Sequence, residues 1–213
     1  LMDGNGELIE LIQNDENEEN RMKFWATVGG MGMTGVILEA TFSLIPISSS
    51  FISVNTTRYE NLDDLMNNMI ESDKNYRYSV AWVDSLNKNF RGVLTSGNHA
   101  SIDILPKELH TKALEFNLRS IGKTPNKIPG GLLNQLTVRA FNEAWYRKSP
   151  KFKEGELQNI GKYFYPLDGI KDWNLIYGKQ GFIQYQFVIP ESASYLISKT
   201  LEVLKENVIV GRL

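Results

Sequence analysis

The sequence predicts an α+β protein in which short strands and amphipathic helices follow one another along 213 residues. Several segments alternate apolar and polar residues with a period of two, which is typical of strands with one buried face. Others have apolar residues three and four positions apart, which is typical of helices. Three serines, residues 48–50, separate a first group of elements from a second. We therefore expect two domains, 1–47 and 48–213, the second truncated at its carboxyl end.

The composition fits a globular protein and excludes several functional classes. Apolar residues make up 42% and charged residues 23% of the chain, both close to the averages of globular proteins. The formal net charge is −2, so nucleic acid is a poor candidate for a partner. Cysteine is absent, which excludes disulfides, thiol catalysis and cysteine-based metal sites.

The first predicted domain contains a hairpin turn, a short helix and a strand. Two turn-forming dipeptides in DGNGELIEL, residues 3–11, predict the hairpin. Acidic residues begin NDENEENRMKFWATV, residues 14–28, as is common in the first turn of a helix. Apolar and polar residues alternate in LEATFSL, residues 38–44, which predicts a strand that ends before Pro46.

The second predicted domain begins with a strand, a helix and two more strands. We predict these elements in FISVNTT (51–57), NLDDLMNNMIESD (61–73), YRYSVAWVDS (76–85) and RGVLTSG (91–97). Later in the chain we predict a helix in GLLNQLTVRAFNEAWY (131–146), an irregular region over 147–180, a strand in GFIQYQFVIP (181–190) and a helix in SASYLISKTLEVLKEN (192–207).

The stretch VGGMGMTGVILEATF, residues 28–42, contains the letters G-x-G-x-x-G of the dinucleotide-binding fingerprint. That fingerprint follows a strand and opens a helix, whereas here a predicted helix precedes the glycines and a predicted strand follows them. The match is therefore accidental. Glycine permits positive φ and close approach of another group. Two interpretations remain open: a tight helix-to-strand turn, or a loop whose backbone lies against a flat cofactor.

Five motifs together resemble one enzyme family. FWATVGGMGMTGVILEATFSLIP, residues 24–46, is similar to the end of the FAD-binding domain in FAD-linked oxidases of the vanillyl-alcohol-oxidase type. The same family is matched, in order and at similar spacing, by YSVAWVDS (78–85), EAWYRKSP (143–150), YFYPLDG (163–169) and GFIQYQFVIP (181–190). The resemblance covers nearly the whole chain.

The resemblance implies that residues 1–47 are the carboxyl-terminal end of an FAD-binding domain. Residues 48–213 would then be a substrate domain, whose antiparallel sheet, flanked by helices, covers the flavin ring and forms the substrate pocket. By this similarity the residues close to the flavin are Gly29, Gly30, Gly32, Gly35 and Val36. Met31 stands where the family commonly has asparagine.

The resemblance also implies substrate contacts from Trp82, Gln184 and Gln186. Period two places the two glutamines on one strand face and large apolar residues on the other. A solvated sheet face would explain the glutamines equally, and an aromatic residue on a strand is most often part of the core.

The segment 145–165 combines aromatic residues with five cations and is open to two interpretations. It is either a solvated, mobile loop or a lid whose cations bind a phosphodiester and whose aromatic residues contact a polyprenyl tail. Tyr146, Phe164 and Leu167 match lid positions of the family. His99 and His110 have no metal-site spacing, so we predict surface histidines and no metal.

The activity implied is oxidation of the 2′-hydroxyl of a decaprenylphosphoryl ribose by hydride transfer to FAD, a step towards cell-wall arabinan precursors. A reductase partner would complete the epimerisation, and peripheral membrane association is compatible with the substrate. The family's catalytic lysine would lie beyond Leu213, so this fragment has no catalytic residue and we expect it to be inactive alone. The alternatives are a sugar-lactone or other sugar-alcohol oxidase of the same superfamily, and a non-catalytic sugar- or lipid-binding module.

Overall fold

The chain separates into two compact units, Leu1–Pro46 and Ile47–Leu213, in a computed structural model. The structure describes residues 1–116, 122–125, 134–178, 181 and 183–207. Helices and an antiparallel sheet are both present, so the α+β class is confirmed. The assignment of the predicted domains 1–47 and 48–213 to FAD and substrate binding stays a prediction.

The first unit contains the predicted hairpin and helix. Met2 and Leu8 form an antiparallel bridge around a turn in which the Asp3 carboxylate accepts backbone hydrogen bonds. Helix α1 spans Glu18–Thr27, and the Asn17 side chain caps its first turn by accepting two backbone N–H groups. Both predictions are therefore confirmed.

The strand predicted over residues 38–44 is wrong. Val36 forms a single bridge to Met2, and the backbone beyond it is not part of a strand. Phe42 and Leu44 are 75% and 83% exposed, although their alternation with polar residues is intact. A strand needs a neighbouring backbone to complete its hydrogen bonds, and no described residue of this unit provides one here.

A four-stranded antiparallel sheet organises the second unit, in the order β2-β3-β1-β5. Its strands are β1 (Phe51–Tyr59), β2 (Tyr78–Val83), β3 (Gly92–His99) and β5 (Phe152–Asn159). A two-residue parallel pair joins β4 (Gly122–Lys123) to β6 (Ile170–Lys171). The predicted strands in residues 51–57, 76–85 and 91–97 are confirmed.

In the part of the second unit that the structure describes, the α-helices are α2 (Leu62–Asp73), α3 (Gln135–Lys148), α4 (Ile160–Phe164) and α5 (Tyr195–Asn207). The helices predicted over 61–73, 131–146 and 192–207 are confirmed, although residues 131–133 lie outside the described residues. The main apolar core joins α2 and α5 to the sheet, and its most buried members are Leu65 at 1% and Leu201 at 0% exposure. Among the described residues, no helix combines the length and apolar character that crossing a bilayer requires.

The prediction of an irregular region over 147–180 is wrong, because β5 lies within it. This strand pairs with β1 despite the polar sequence FKEGELQN. Its register shifts between Val54 and Thr56, and Gly155 nearby has φ +68° and donates its N–H to the Asn55 side chain. As an edge strand with largely exposed side chains, β5 shows little apolar alternation.

The strand predicted over residues 181–190 is also wrong for the residues that the structure describes. Phe182 lies outside them. Residues 181 and 183–190 belong to no strand, and Ile183 and Tyr185 are 96% and 81% exposed. The alternation suits a strand, but no described backbone pairs with it. The segment therefore stays outside the sheet.

Candidate functional site

The glycine-rich bend follows α1 through consecutive tight turns. Gly29 adopts a left-handed backbone with φ +73°, just after the helix ends. Met31 and Gly32 then form the centre of a second turn, with φ +55° and +75°, which the Met33 N–H closes by donating to the Gly30 carbonyl at 3.0 Å. Two central residues with positive φ define a type I′ turn, in which glycine and asparagine are favoured.

Two of the glycines are required by contacts inside the first unit. A Cβ on Gly30 would collide with the Ala26 carbonyl oxygen, and one on Gly35 would collide with the Met2 carbonyl oxygen. Gly35 lies so close because Met2 and Val36 exchange two backbone hydrogen bonds, of 2.8 and 2.9 Å. Packing alone therefore explains why Gly30 and Gly35 are glycines.

The other two glycines leave bare backbone at the surface of the unit. A Cβ on Gly29 or Gly32 would meet nothing within 4 Å. Val36, the other predicted flavin contact, is 57% exposed. At Gly29 and Gly32 the backbone of the bend is thus accessible and has no side chain, so a flat ring could lie against it. The five predicted flavin contacts remain predictions.

Replacing Met31 with glycine or asparagine is expected to raise the free energy of unfolding by about 0.5–1 kcal/mol, because Met31 has a left-handed φ and is 86% exposed. Thermal or urea unfolding would measure the gain. Met33→Gly is the matched control, since Met33 is 90% exposed and is not among the positive-φ residues. It should lower stability. Equal effects of the two glycine substitutions would contradict the strain at position 31.

Tyr78, Val80 and Trp82 share the face of β2 opposite α2 and α5. Ala81 and Val83, which alternate with them, join the core beneath α2 and α5. Trp82 pairs with Val93 of β3 and is half-buried. The predicted substrate residue Trp82 therefore lies on a sheet face that the main helix-covered core does not occupy.

An aromatic cluster covers the Tyr78 end of this face. The rings of Tyr78 and Phe164 meet edge to face with centroids 4.9 Å apart, and Tyr163 contacts Phe164 at the same distance. The Tyr163 hydroxyl donates to the Tyr78 carbonyl at 3.2 Å, and burial, followed by the influence of Tyr78, raises the pKa of Tyr163 to about 12. The two ring nitrogens of His99 form hydrogen bonds with the Tyr78 hydroxyl and the Ser49 carbonyl. His99 is therefore half-buried rather than a simple surface histidine.

A cavity of about 420 Å³ opens beside this cluster. Its walls include Val80, Tyr163 and Phe164, and its charged groups are Asp73 and Arg77. Among the described residues, Arg77 has no ion-pair partner. Its volume lies in the range of small-molecule sites, but it is an open groove at the surface rather than an enclosed pocket.

Tyr146 is held between two guanidinium groups rather than on a loop. The Arg58 and Arg91 Cζ atoms lie 5.0 and 4.3 Å from its ring centroid. Its hydroxyl donates to the Tyr59 carbonyl at 3.2 Å, and burial is the main cause that raises the pKa of Tyr146. These contacts fix α3 on the sheet, so the ring and the hydroxyl are already engaged within the second unit.

A buried polar network continues from Arg91. Its Nε and Nη2 donate to one oxygen of Asp84 at 3.2 and 3.1 Å, and Nη2 also donates to Glu143 at 2.5 Å. Asn142 donates to the other Asp84 oxygen at 2.8 Å, while its own Oδ1 is buried and has no hydrogen-bond partner among the described residues. Burial opposes the charge of Arg91, but hydrogen bonds to Glu143 and Asp84 outweigh it, so the pKa of Arg91 is raised. The Arg91 hydrogen bond is the main cause that lowers the pKa of Glu143.

Sequence reasoning did not identify this network. Asp84 and Asn142 are 58 positions apart, and neither belongs to a short motif. The one available signal was Asp84 at the end of an otherwise apolar strand segment, AWVD, where a carboxylate requires a partner if it is buried.

The mobile-loop interpretation of residues 145–165 is wrong, because the end of α3, the strand β5 and helix α4 occupy most of it. Three of its five cations are also paired with acids. Lys153 and Lys162 bind Glu156, and Arg147 binds Glu143. The lid role of this segment stays a prediction.

The remaining predicted substrate residues lie apart from the cavity. Leu167 is 48% exposed in a turn after α4, and Gln184 and Gln186 are exposed in the segment that follows position 182. Among the described residues, Phe164 is the predicted substrate residue that lines the cavity. Phe164 contacts Tyr78, which shares a face of β2 with Trp82, whereas Tyr146 contacts Arg58 and Arg91.

Comparison with known proteins identifies relatives along nearly the whole chain. No protein-family model matches. The chain is 36% identical over 197 residues to the decaprenylphosphoryl-β-D-ribose oxidase of Mycolicibacterium smegmatis, which covers 91% of this chain. The chain and this oxidase are homologous. The resemblance indicated by the sequence motifs is therefore confirmed.

A second relative extends the comparison to another genus. Over 158 residues the chain is 32% identical to a Streptomyces coelicolor protein described as an uncharacterized protein in the mprA 5′ region, which covers 68% of this chain. The matched part is 42% of the length of the oxidase and 42% of the length of the Streptomyces protein.

Proposed function

We propose that this chain is part of an FAD-dependent oxidoreductase that oxidises the 2′-hydroxyl of decaprenylphosphoryl-β-D-ribose. The observation that supports the proposal most strongly is the similarity to the Mycolicibacterium oxidase over 91% of the chain. Residues 1–47 would form the end of the FAD-binding domain, and residues 48–213 would form most of the substrate domain.

The glycine-rich bend is the proposed flavin contact within this chain. Gly29 and Gly32 expose backbone without a Cβ, so a planar ring can approach there more closely than at other residues. Gly30 and Gly35 hold the bend in shape through their packing. When bound, the flavin would accept the hydride of the substrate carbon. This chain would position the ring and would leave the base to residues outside it.

The sheet face with Trp82 and Phe164 is the proposed sugar contact. Both side chains present apolar surface, which suits the C–H faces of a ribose, while Arg77 at the cavity supplies a cation for the phosphate. Tyr146, Leu167, Gln184 and Gln186 complete the proposed substrate set. The proposed partners are the polyprenyl-phosphate sugar, a reductase that uses the oxidised product, and a membrane surface.

Flavin reduction under anaerobic conditions tests this proposal with the full-length protein. We expect decaprenylphosphoryl ribose to bleach the flavin absorbance, and an aldonolactone to have little effect. Faster bleaching by the lactone would overturn the assignment in favour of a lactone oxidase. Absence of bound flavin from the full-length protein would overturn it in favour of a binding module.

Trp82→Ala is expected to lower kcat/KM for the ribose substrate about tenfold, because the indole would lose its contact with the sugar. Tyr195→Ala is the control, since Tyr195 is an exposed aromatic residue, 59% accessible, on α5. It should leave kcat/KM unchanged. Equal kcat/KM values for the two variants would show that Trp82 does not contact the substrate.

A further inference from the structure

Helix α3 has an exposed apolar face in addition to the face that contacts the sheet. Phe141 and Trp145 are 44% and 47% exposed, and their rings stack with centroids 6.2 Å apart and planes 13° from parallel. Leu136, five residues before Phe141 on the same helix, is 77% exposed. Large apolar side chains that are this accessible on one helix indicate a contact surface.

Helical geometry places these residues on one side. At 100° per residue, Ala140 and Ala144 fall between Leu136 and the aromatic pair, and Lys148 falls between Ala144 and Phe141. The arc from Leu136 to Trp145 covers about 180° of the helix and also contains Thr137 and Arg147, so its large apolar part is the Phe141–Trp145 pair with Lys148 beside it. We call the set Leu136, Ala140, Phe141, Ala144, Trp145 and Lys148 the outer face of α3.

The opposite side of α3 is fixed to the protein. Val138 and Asn142 are 3% and 1% exposed, and Asn142 donates to the buried carboxylate of Asp84. The Tyr146 hydroxyl donates to the Tyr59 carbonyl. Because these contacts hold the helix in one orientation, α3 cannot rotate to bury its outer face against the sheet.

The charges near the outer face suit an anionic surface. Lys148 and Lys151 have no ion-pair partner among the described residues, whereas Arg147, which lies between Leu136 and Ala140 on the helix surface, is paired with Glu143. Lysine is depleted at the centres of protein–protein interfaces. Tryptophan, phenylalanine and lysine together are instead typical of helices that lie at a membrane surface.

We infer that the outer face of α3 docks on a bilayer that contains anionic lipid, with Phe141 and Trp145 at the headgroup–acyl boundary and Lys148 and Lys151 among the headgroups. The inference rests on the proposed function, because a decaprenyl chain would keep the substrate in a membrane. It names the surface through which the enzyme would reach that substrate.

Vesicle co-sedimentation of the full chain tests the inference. We expect binding to vesicles of equimolar phosphatidylcholine and phosphatidylglycerol, and weaker binding to phosphatidylcholine alone. The double variant Phe141→Ser/Trp145→Ser should reduce partitioning about tenfold or more. Lys148→Gln/Lys151→Gln should remove the preference for anionic lipid. The control Leu114→Ser/Phe116→Ser changes two residues that are 65% and 55% exposed elsewhere, and it should bind like the wild type.

Brominated lipids provide a second measurement that does not depend on stability. Quenching of tryptophan fluorescence by these lipids should be largely lost in Trp145→Phe. Undiminished quenching in that variant, or equal vesicle binding by the α3 and control variants, would overturn the inference. Self-association through Trp145 without lipid binding would do the same. Turnover of a short-chain, soluble phosphoryl ribose reports on the proposed function separately, because it requires no membrane.

Discussion

Arg91→Met is expected to lower the free energy of unfolding by about 3 kcal/mol, because it leaves the carboxylate of Asp84 buried without its cation. Asp84 is 3% exposed, and among the described residues the Asn142 side chain and the Leu86 N–H, both neutral, would then be its donors. The Glu143 carboxylate is more exposed and still has Arg147, so its loss of Arg91 matters less. Urea unfolding monitored by circular dichroism would measure the change.

Two further variants separate charge burial from the loss of packing. Arg91→Met/Asp84→Asn removes both buried charges while an amide still accepts from Asn142, so most of the stability should return. Lys74→Met breaks the exposed pair of Lys74 with Glu71 and should cost less than about 0.5 kcal/mol. If Arg91→Met costs no more than Lys74→Met, the network is not buried as described.

Leu201→Ala is expected to cost about 3 kcal/mol, within the range measured for fully buried leucines. Leu201 is 0% exposed and joins α5 to Leu62 and Leu65 of α2 in the main core. Its truncation removes three carbon atoms from that cluster and leaves a cavity that the rigid sheet cannot close. Thermal and urea unfolding should both report the loss.

Val203→Ala is the matched control for the core variant. Val203 lies on the same helix and is 59% exposed, so its truncation should change the free energy of unfolding by less than about 0.5 kcal/mol. Similar losses for the two variants would mean that α5 does not pack on α2 through Leu201.

The helices and inner strands could be predicted because their signals are local. In α2, for example, Leu62 and Leu65 are spaced for one helix face, and the structure buries both. In β1, Ile52 and Val54 alternate with polar residues and are both fully buried. A periodic apolar pattern is sufficient wherever the neighbouring elements are present to cover it.

The errors concern strands whose existence depends on a partner. Residues 38–44 and 183–190 alternate correctly and form no strand, because no described backbone pairs with them. The strand β5 has little apolar alternation and forms one, because the edge of β1 is available to it. Alternation of apolar and polar residues shows which face a strand could bury. Whether the strand forms depends on backbone hydrogen bonds to residues far away in sequence.

The candidate site was predictable only through resemblance. Trp82 was selected because the family places it at the pocket, and Phe164 because it matches a lid position; in the structure Phe164 contacts Tyr78, which shares a face of β2 with Trp82. The network of Asp84, Arg91 and Asn142 could not be foreseen, because Asn142 lies 58 residues from Asp84, and the seven-residue spacing of Asp84 and Arg91 matches no short motif. The local sequence does not show which charged residues will be buried or which residues will pair with them.

The strand order has a consequence for how the second unit acquires its structure. Its central strand, β1, is made first, yet one of its two neighbours, β5, follows roughly a hundred residues later, as the pairing of Phe51 with Asn159 shows. Until then one side of β1 has unpaired amides and carbonyls. We therefore expect slow maturation of the sheet during synthesis, with a window in which the nascent chain is open to aggregation through that bare edge.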